Sequence, residues 1–189
     1  MDQDYDNIKI IPLWPTNIVT TTVDIDNTSM ISEIYDLKFN QPVITKSNYG
    51  GWQSNTQLHE NNTFTELFSN ILNILCFTFQ TKSVTFKQTW ACINKTNDFN
   101  LIHAHGNQYH VSGVYYLQVP LNSGDIAFRD PRPAAINSTT QQIFGQGDSE
   151  NFTPVNNQLI FFPSYLEHFV LPNNSKQDRI SISFDTILG

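Results

Sequence analysis

Hydrophobic and polar positions change period once along this chain, near residue 83. Before that point Leu67, Phe68, Ile71, Leu72, Ile74 and Leu75 recur at spacings of three and four, which predicts an amphipathic helix with one face on a core. Thr63-Phe64-Thr65-Glu66 ahead of it matches a capping box, with Thr at the cap and Glu three positions on, and the helix is expected to end near Phe79. A shorter helix is expected over 31–38. Residues 8–24 gather Ile, Val and Thr around Pro12 and Pro15 and read as an extended segment leading into an edge strand. Asn48-Tyr49-Gly50-Gly51 is a turn that presents Trp52.

From residue 83 the period falls to two. Val84 to Ile93 alternates, and Val111 to Val119 is rich in β-branched and aromatic residues. Ile126 to Phe128, Leu159 to Phe162, Phe169 to Leu171 and Ile180 to Ile187 are further short runs bounded by Gly, Pro, Asn or Asp. The C-terminal hundred residues therefore read as antiparallel strands in a sandwich or barrel. The Pro-, Asn- and Gln-rich stretch 129–157 is the longest loop, and it and Trp52 are candidate substrate contacts by their placement in loops.

Composition places the chain among globular proteins: 39% hydrophobic residues, with 14 Phe, supply a core, and 189 residues suit one domain in which 1–82 packs on 83–189. A net charge of −7 without any cluster of Lys and Arg excludes a nucleic-acid partner bound through its phosphates, while leaving room for a local basic pocket that takes a small anion. The acidic start, Met1 to Asn7, lacks the features of a signal peptide, and Ile71 to Phe79, the longest apolar run, is broken by Asn73 and Thr78. A cytoplasmic protein with no membrane segment is expected. Cys76 and Cys92 sit in apolar stretches and read as reduced core residues; triplets such as Asn94 to Thr96 and Asn137 to Thr139 are chance products of an Asn-rich chain.

Chemistry enters with the histidines. His103, His105 and His110 fall close together just before a strand. In extended chain, residues two apart share a face, so the imidazoles of His103 and His105 can converge on one ion, whereas His110 faces elsewhere unless the loop bends it back. His168, just after the run Phe161-Phe162-Pro163, is the natural third ligand from a distant strand. Three neutral imidazoles suit Fe(II), Zn or Cu and leave coordination positions open, unlike a closed four-ligand structural site. Arg179 and Ser181 share one face of the last strand, where a guanidinium can clamp a carboxylate in bidentate fashion among apolar and aromatic neighbours.

The ordered blocks His103-Ala-His105, Ser112-Gly113-Val114-Tyr115-Tyr116-Leu117, Ser123 to Phe128 with Asp130-Pro131-Arg132, Phe162-Pro163-Ser164 with His168, and Arg179-Ile-Ser181 resemble the 2OG-Fe(II) oxygenase family of prolyl-hydroxylase-like, 2-oxoglutarate-dependent dioxygenases. Gly51-Trp52-Gln53-Ser54 and Ile11 to Pro15 resemble its N-terminal blocks, so the likeness runs over nearly the whole chain. The resemblance implies a mainly β fold, a double-stranded β-helix or jelly roll with supporting N-terminal helices. It implies Fe(II) on His103 and His168, to which the spacing adds His105, and 2-oxoglutarate held at its distal carboxylate by Arg179 and Ser181, with the Tyr116 hydroxyl against the same carboxylate. With O₂, such a site would oxidise a small molecule or a peptide side chain, inside an apolar shell formed by Tyr115, Tyr116, Phe161 and Phe184. One position departs from the pattern: most dioxygenases of this kind carry a carboxylate two positions after the first histidine, and here it is His105. That exchange leaves the metal site one charge more positive; Glu167 and Asp98 are nearby carboxylates without the usual spacing. A three-histidine site also fits a cupin-like metal-dependent enzyme that does not use 2-oxoglutarate, and the fold alone would serve a non-catalytic jelly-roll binding module.

Overall fold

The alternation expected after residue 83 forms the middle of two antiparallel sheets in the computed structural model, which describes residues 9, 11–134 and 147–189. One sheet has six strands in the order β1 (Val19–Thr22), β9 (Gln158–Pro163), β6 (Val111–Gln118), β11 (Arg179–Leu188), β4 (Val84–Asn94) and β3 (Trp52–Gln53). The other has five: β2 (Asn48–Tyr49), β5 (Phe99–His103), β10 (His168–Val170), β7 (Ile126–Arg129) and β8 (Ser149–Phe152). Neighbours in the strand order are far apart in sequence, the jelly-roll arrangement of a double-stranded β-helix. The segment 8–24 does end in an edge strand, β1, which among the described residues pairs only with β9.

The period of two sorts each central strand onto two cores. On β6 and β9, Tyr115, Leu117, Leu159 and Phe161 face the helices, while Val114, Tyr116, Ile160 and Phe162 face the second sheet with Ile126, Phe128 and Leu166. The helical side is sealed by Met30 and Ile34 of α1 (Thr28–Asn40) and by Leu67, Phe68, Ile71 and Leu75 of α2 (Thr65–Phe79) against Ala91, Ile93, Ile180, Ile182 and Phe184. Among the described residues, no helix is long and apolar enough to cross a membrane.

Helix ends differ from the sequence expectation in instructive ways. α2 stops at Phe79 as expected, with Gln80 in the left-handed region at φ 50°. No Thr63 capping box forms. Asn61 instead accepts from the Thr63 N–H and starts a 3₁₀ turn, Asn62–Phe64, that runs into the helix. α1 is longer than 31–38 because Asp26 accepts from the Thr28 backbone N–H at 2.9 Å and opens the helix earlier.

Trp52 is not a loop residue offered to a substrate. It lies on β3 opposite Ile93, 7% exposed, in the core beneath the helices, and its neighbour Gln53 faces the cavity instead. Both cysteines are free, but Cys92 lines that cavity rather than the apolar core. Much of the 129–157 loop, including Asn137 to Thr139, lies outside the described residues, as does the start Met1 to Asn7; within the loop, 149–152 forms β8 at the edge of the second sheet.

Candidate metal centre and co-substrate pocket

Three imidazoles meet between the sheets. His103 ends β5 and His168 opens β10, and the two are direct partners across that strand pair, with ring centroids 4.3 Å apart. His105 lies two residues beyond the end of β5, where its backbone N–H donates to the Ser164 carbonyl at 3.0 Å. Its ring is 5.0 Å from that of His168 and 5.3 Å from that of His103. One nitrogen from each ring falls within 4.8 Å of the others, and among the described residues no carboxylate joins this group.

Hydrogen bonds determine which nitrogens remain free. Nδ1 of His103 donates to the Leu101 carbonyl at 2.7 Å, Nδ1 of His168 to the Leu166 carbonyl at 2.9 Å, and Nδ1 of His105 to the Asp185 carboxylate. Each acceptor can only accept, so each Nδ1 carries the proton and each Nε2 keeps its lone pair, the form that ligates a metal; Nε2 of His103 lies 3.4 Å from the Ser47 hydroxyl, which can donate to it. Burial lowers the pKa of His103, and burial with the neighbouring His103 and His105 lowers that of His168 to about 3. These two rings are therefore neutral near pH 7.

His110 is not part of the centre. It is exposed, and its Nδ1 accepts from the Leu188 N–H at 3.0 Å, which ties the loop to the end of β11. Glu167 pairs with Arg129 at 3.1 Å on the surface, and Asp98 accepts from the Lys95 N–H at 2.7 Å, so neither nearby carboxylate reaches the imidazoles.

A cavity of about 470 Å³ runs from the imidazoles along β11 to Arg179. Arg179, Ser181, Ser183 and Asp185 all face it, by the period of two, across from Asn94, Cys92, Trp90 and Gln88 of β4. This overturns the expectation that Arg179 and Ser181 share an apolar face: Ile180, Ile182 and Phe184 point the other way, into the helical core. For the same reason Tyr115, Phe161 and Phe184 are not part of the shell around the site, whose apolar members are Val114, Tyr116, Ile126, Phe162 and Val170, with Trp90 5.6 Å from the His105 ring.

Arg179 is 2% exposed. Its Nη1 donates to the carbonyls of Ser123 and Gly124, both at 3.1 Å, while its Nε is buried without a partner. Burial lowers its pKa, with Tyr116, Cys92 and Asp125 acting against the shift. Tyr116, opposite Ser181 in the β6–β11 pairing, is buried and its pKa is pushed up to about 12, as is that of Cys92; both present protonated, uncharged groups. A buried cation with an idle donor and uncharged donors beside it is matched by a small carboxylate. The donor set thus fits both groups of an iron and 2-oxoglutarate site: imidazole nitrogens that suit iron at one end, a cation that suits a carboxylate at the other.

Sequence reasoning found His103, His105, His168, Arg179, Ser181 and Tyr116, and all six line this one cavity. It missed Asp185, although the polar alternation Arg179, Ser181, Ser183 extends to it, and it missed Trp90, Asn94 and Gln88 on the facing strand.

Comparison with known proteins agrees with this reading of the fold. The sequence model of the family described as "Putative 2OG-Fe(II) oxygenase" matches residues 88–185. No curated protein matches the chain. Among solved structures, the non-haem α-ketoglutarate-dependent epimerase SnoN from nogalamycin biosynthesis is similar with a TM-score of 0.70 at 12% identity, over 91% of this chain and 78% of that one. A Pseudomonas putida prolyl-4-hydroxylase gives 0.65 at 12% identity over 92% and 94%. The viral collagen prolyl hydroxylase of Paramecium Bursaria Chlorella virus-1, in complex with 2OG, gives 0.62 at 13% identity over 89% and 94%. At these identities the likeness speaks for the jelly-roll fold. With just over half its length matched by the family's sequence model, the chain belongs to the 2OG-Fe(II) oxygenase family and is an oxidoreductase that uses Fe(II) and 2-oxoglutarate.

Proposed function

We propose that this chain is a single-domain dioxygenase that hydroxylates a small molecule or a peptide side chain, with residues 1–82 supporting the jelly-roll core of 83–189. His103, His105 and His168 would hold the iron, and Arg179, with Ser181 and Tyr116, would hold the distal carboxylate of 2-oxoglutarate. The observation that carries the reading is the pairing of three converging imidazoles with the idle Nε of buried Arg179 in one cavity. When bound, Fe(II) with O₂ supplies the oxidation: 2-oxoglutarate becomes succinate and CO₂ while a substrate C–H becomes C–OH.

The residues of this chain do the positioning. Arg179 neutralises one carboxylate of the co-substrate and fixes its orientation along β11. The protonated Tyr116 can donate to that carboxylate, and so can Ser181. Val114, Ile126, Phe162 and Val170 keep bulk water from the reacting end. Lys46, Gln88, Gln108 and Tyr109 line the open side of the cavity, where a substrate would enter. Similar structures include an epimerase of nogalamycin biosynthesis and a prolyl hydroxylase bound to a hypoxia-inducible-factor peptide fragment, so both small-molecule and peptide substrates fit the reading.

Anaerobic addition of 2-oxoglutarate to the Fe(II)-loaded protein tests it. A metal-to-ligand charge-transfer band that is lost in Arg179→Met is expected. Metal binding without any such band would favour the cupin-like enzyme, and failure to bind Fe(II) or Mn(II) at all would favour a binding module.

A further inference from the structure

A carboxylate does belong to this metal centre, one residue removed from the iron. We propose that Asp185 is a positioning residue for His105: it holds the imidazole as the Nδ1–H tautomer, aims Nε2 into the cluster, and returns at second hand the negative charge that a carboxylate at position 105 would bring directly. The proposal rests on the reading of His105 as a ligand.

Asp185 is buried on β11 at the pocket face, directly before the bulge that separates it from Thr186. Its Oδ1 accepts from His105 Nδ1 and from the Ser112 hydroxyl at 2.6 Å. Ser112 is its cross-strand partner on β6, and with its proton committed to the carboxylate it accepts from Ser164 Oγ, 2.9 Å away. The Ser164 carbonyl in turn receives the His105 backbone N–H. His105 is thus gripped at backbone and ring by one closed, buried circuit of Ser164, Ser112 and Asp185. Because Asp185 is absent from the group of converging ligand atoms, it backs the ligand and does not compete with it.

Taking a carboxylate out of water is costly, and the cost is offset only by good partners. Here the partners are a metal-facing imidazole and one hydroxyl, the arrangement in which an anion raises the basicity of a ligating histidine and fixes its orientation. A neutral histidine in place of a carboxylate leaves the metal site one charge more positive; Asp185 offsets that charge while leaving three nitrogen ligands.

The test uses the full chain, metal-free and with Mn(II). Correlation spectra of the histidine ring nitrogens in the metal-free protein should show His105 as the Nδ1–H tautomer, and Asp185→Ala should remove that preference. Mn(II) affinity, followed by the electron paramagnetic resonance of free Mn(II), should fall about 10- to 100-fold in Asp185→Ala. Asp185→Asn keeps an acceptor oxygen, so it should keep the tautomer and lose less affinity. In a His105→Ala background, Asp185→Ala should cost no further affinity, whereas a merely structural role would cost the same in both backgrounds. Wild-type affinity in Asp185→Ala overturns the proposal alone. Wild-type protein that binds no Mn(II) overturns the ligand reading with it. Should Asp185→Ala fail to fold, unchanged affinity in Asp185→Asn overturns the proposal.

Discussion

Replacing Arg179 with Met separates what the guanidinium does for the co-substrate from what it does for the fold. The side chain is almost wholly buried, its protein partners are two neutral carbonyls at 3.1 Å, and its Nε has none. Asp125 lies near enough to oppose the depression of its pKa but makes no ion pair with it. Before the co-substrate arrives, the cation is therefore desolvated with little return. Charge-assisted hydrogen bonds in such a setting contribute about 2–4 kcal/mol in total. At 1.4 kcal/mol per decade, Arg179→Met should weaken 2-oxoglutarate roughly 30- to 700-fold. A methionine of similar volume fills much of the space without a charge, so the ligand-free protein should melt no lower than wild type, or slightly higher. The assay is calorimetric titration of the Mn(II)-loaded protein with 2-oxoglutarate and with 2-oxobutyrate, which lacks the distal carboxylate. The variant should lose affinity only for the first. Equal affinity of wild type and Arg179→Met for 2-oxoglutarate, or equal losses for both ligands, would refute the clamp.

Tyr116→Phe should leave the fold intact and weaken 2-oxoglutarate about two- to twelve-fold, the worth of one hydrogen bond of about 0.5–1.5 kcal/mol, in the same titration. Mn(II) at about a hundredfold excess over its dissociation constant should stabilise the native protein by about 2.7 kcal/mol, raising the melting temperature by roughly 5–11 °C; His103→Ala and His168→Ala should each abolish that rise. Gly113→Ala should lower stability by about 1–3 kcal/mol in chemical denaturation, because a Cβ there would lie 2.2 Å from the tip of the buried Phe184 ring on the neighbouring strand.

The core of the fold was legible because the strands from β4 onward carry alternation dense enough to need no partner for recognition. β5 was not: Phe99-Asn-Leu-Ile-His is short and mixed, its Leu101 and Ile102 are exposed, and pairing with β2 and β10 makes it a strand, although it carries His103. β8 failed to show for the same reason, a polar edge segment that exists through its pairing with β7. At the site, the metal-ligand candidates were readable as residue types at a spacing. Which face of β11 they shared was misjudged, since its apolar residues were assigned to the side of Arg179, whereas strict alternation sends Ile180, Ile182 and Phe184 to the helices. Asp185 was invisible as a partner of His105 because nothing in the sequence links positions so far apart; the β6–β11 register sets Asp185 opposite Ser112, and the fold brings His105 to the same carboxylate.

That register makes β11 a ruler. From Arg179 to Asp185 the strand covers roughly 20 Å at about 3.4 Å per residue, with the proposed carboxylate clamp at one end and the proposed prop of a metal ligand at the other. Same-face positions are spaced by about 6.8 Å, several times the length added by one methylene, so the backbone offers no neighbouring setting for a slightly longer or shorter dicarboxylate. Inserting or deleting one residue between the two would turn Arg179 or Asp185 into the helical core. Donors at the metal and the wall facing the substrate can each change one side chain at a time. With Arg179 as the proposed clamp, the length of the co-substrate cannot, because it is measured by the main chain.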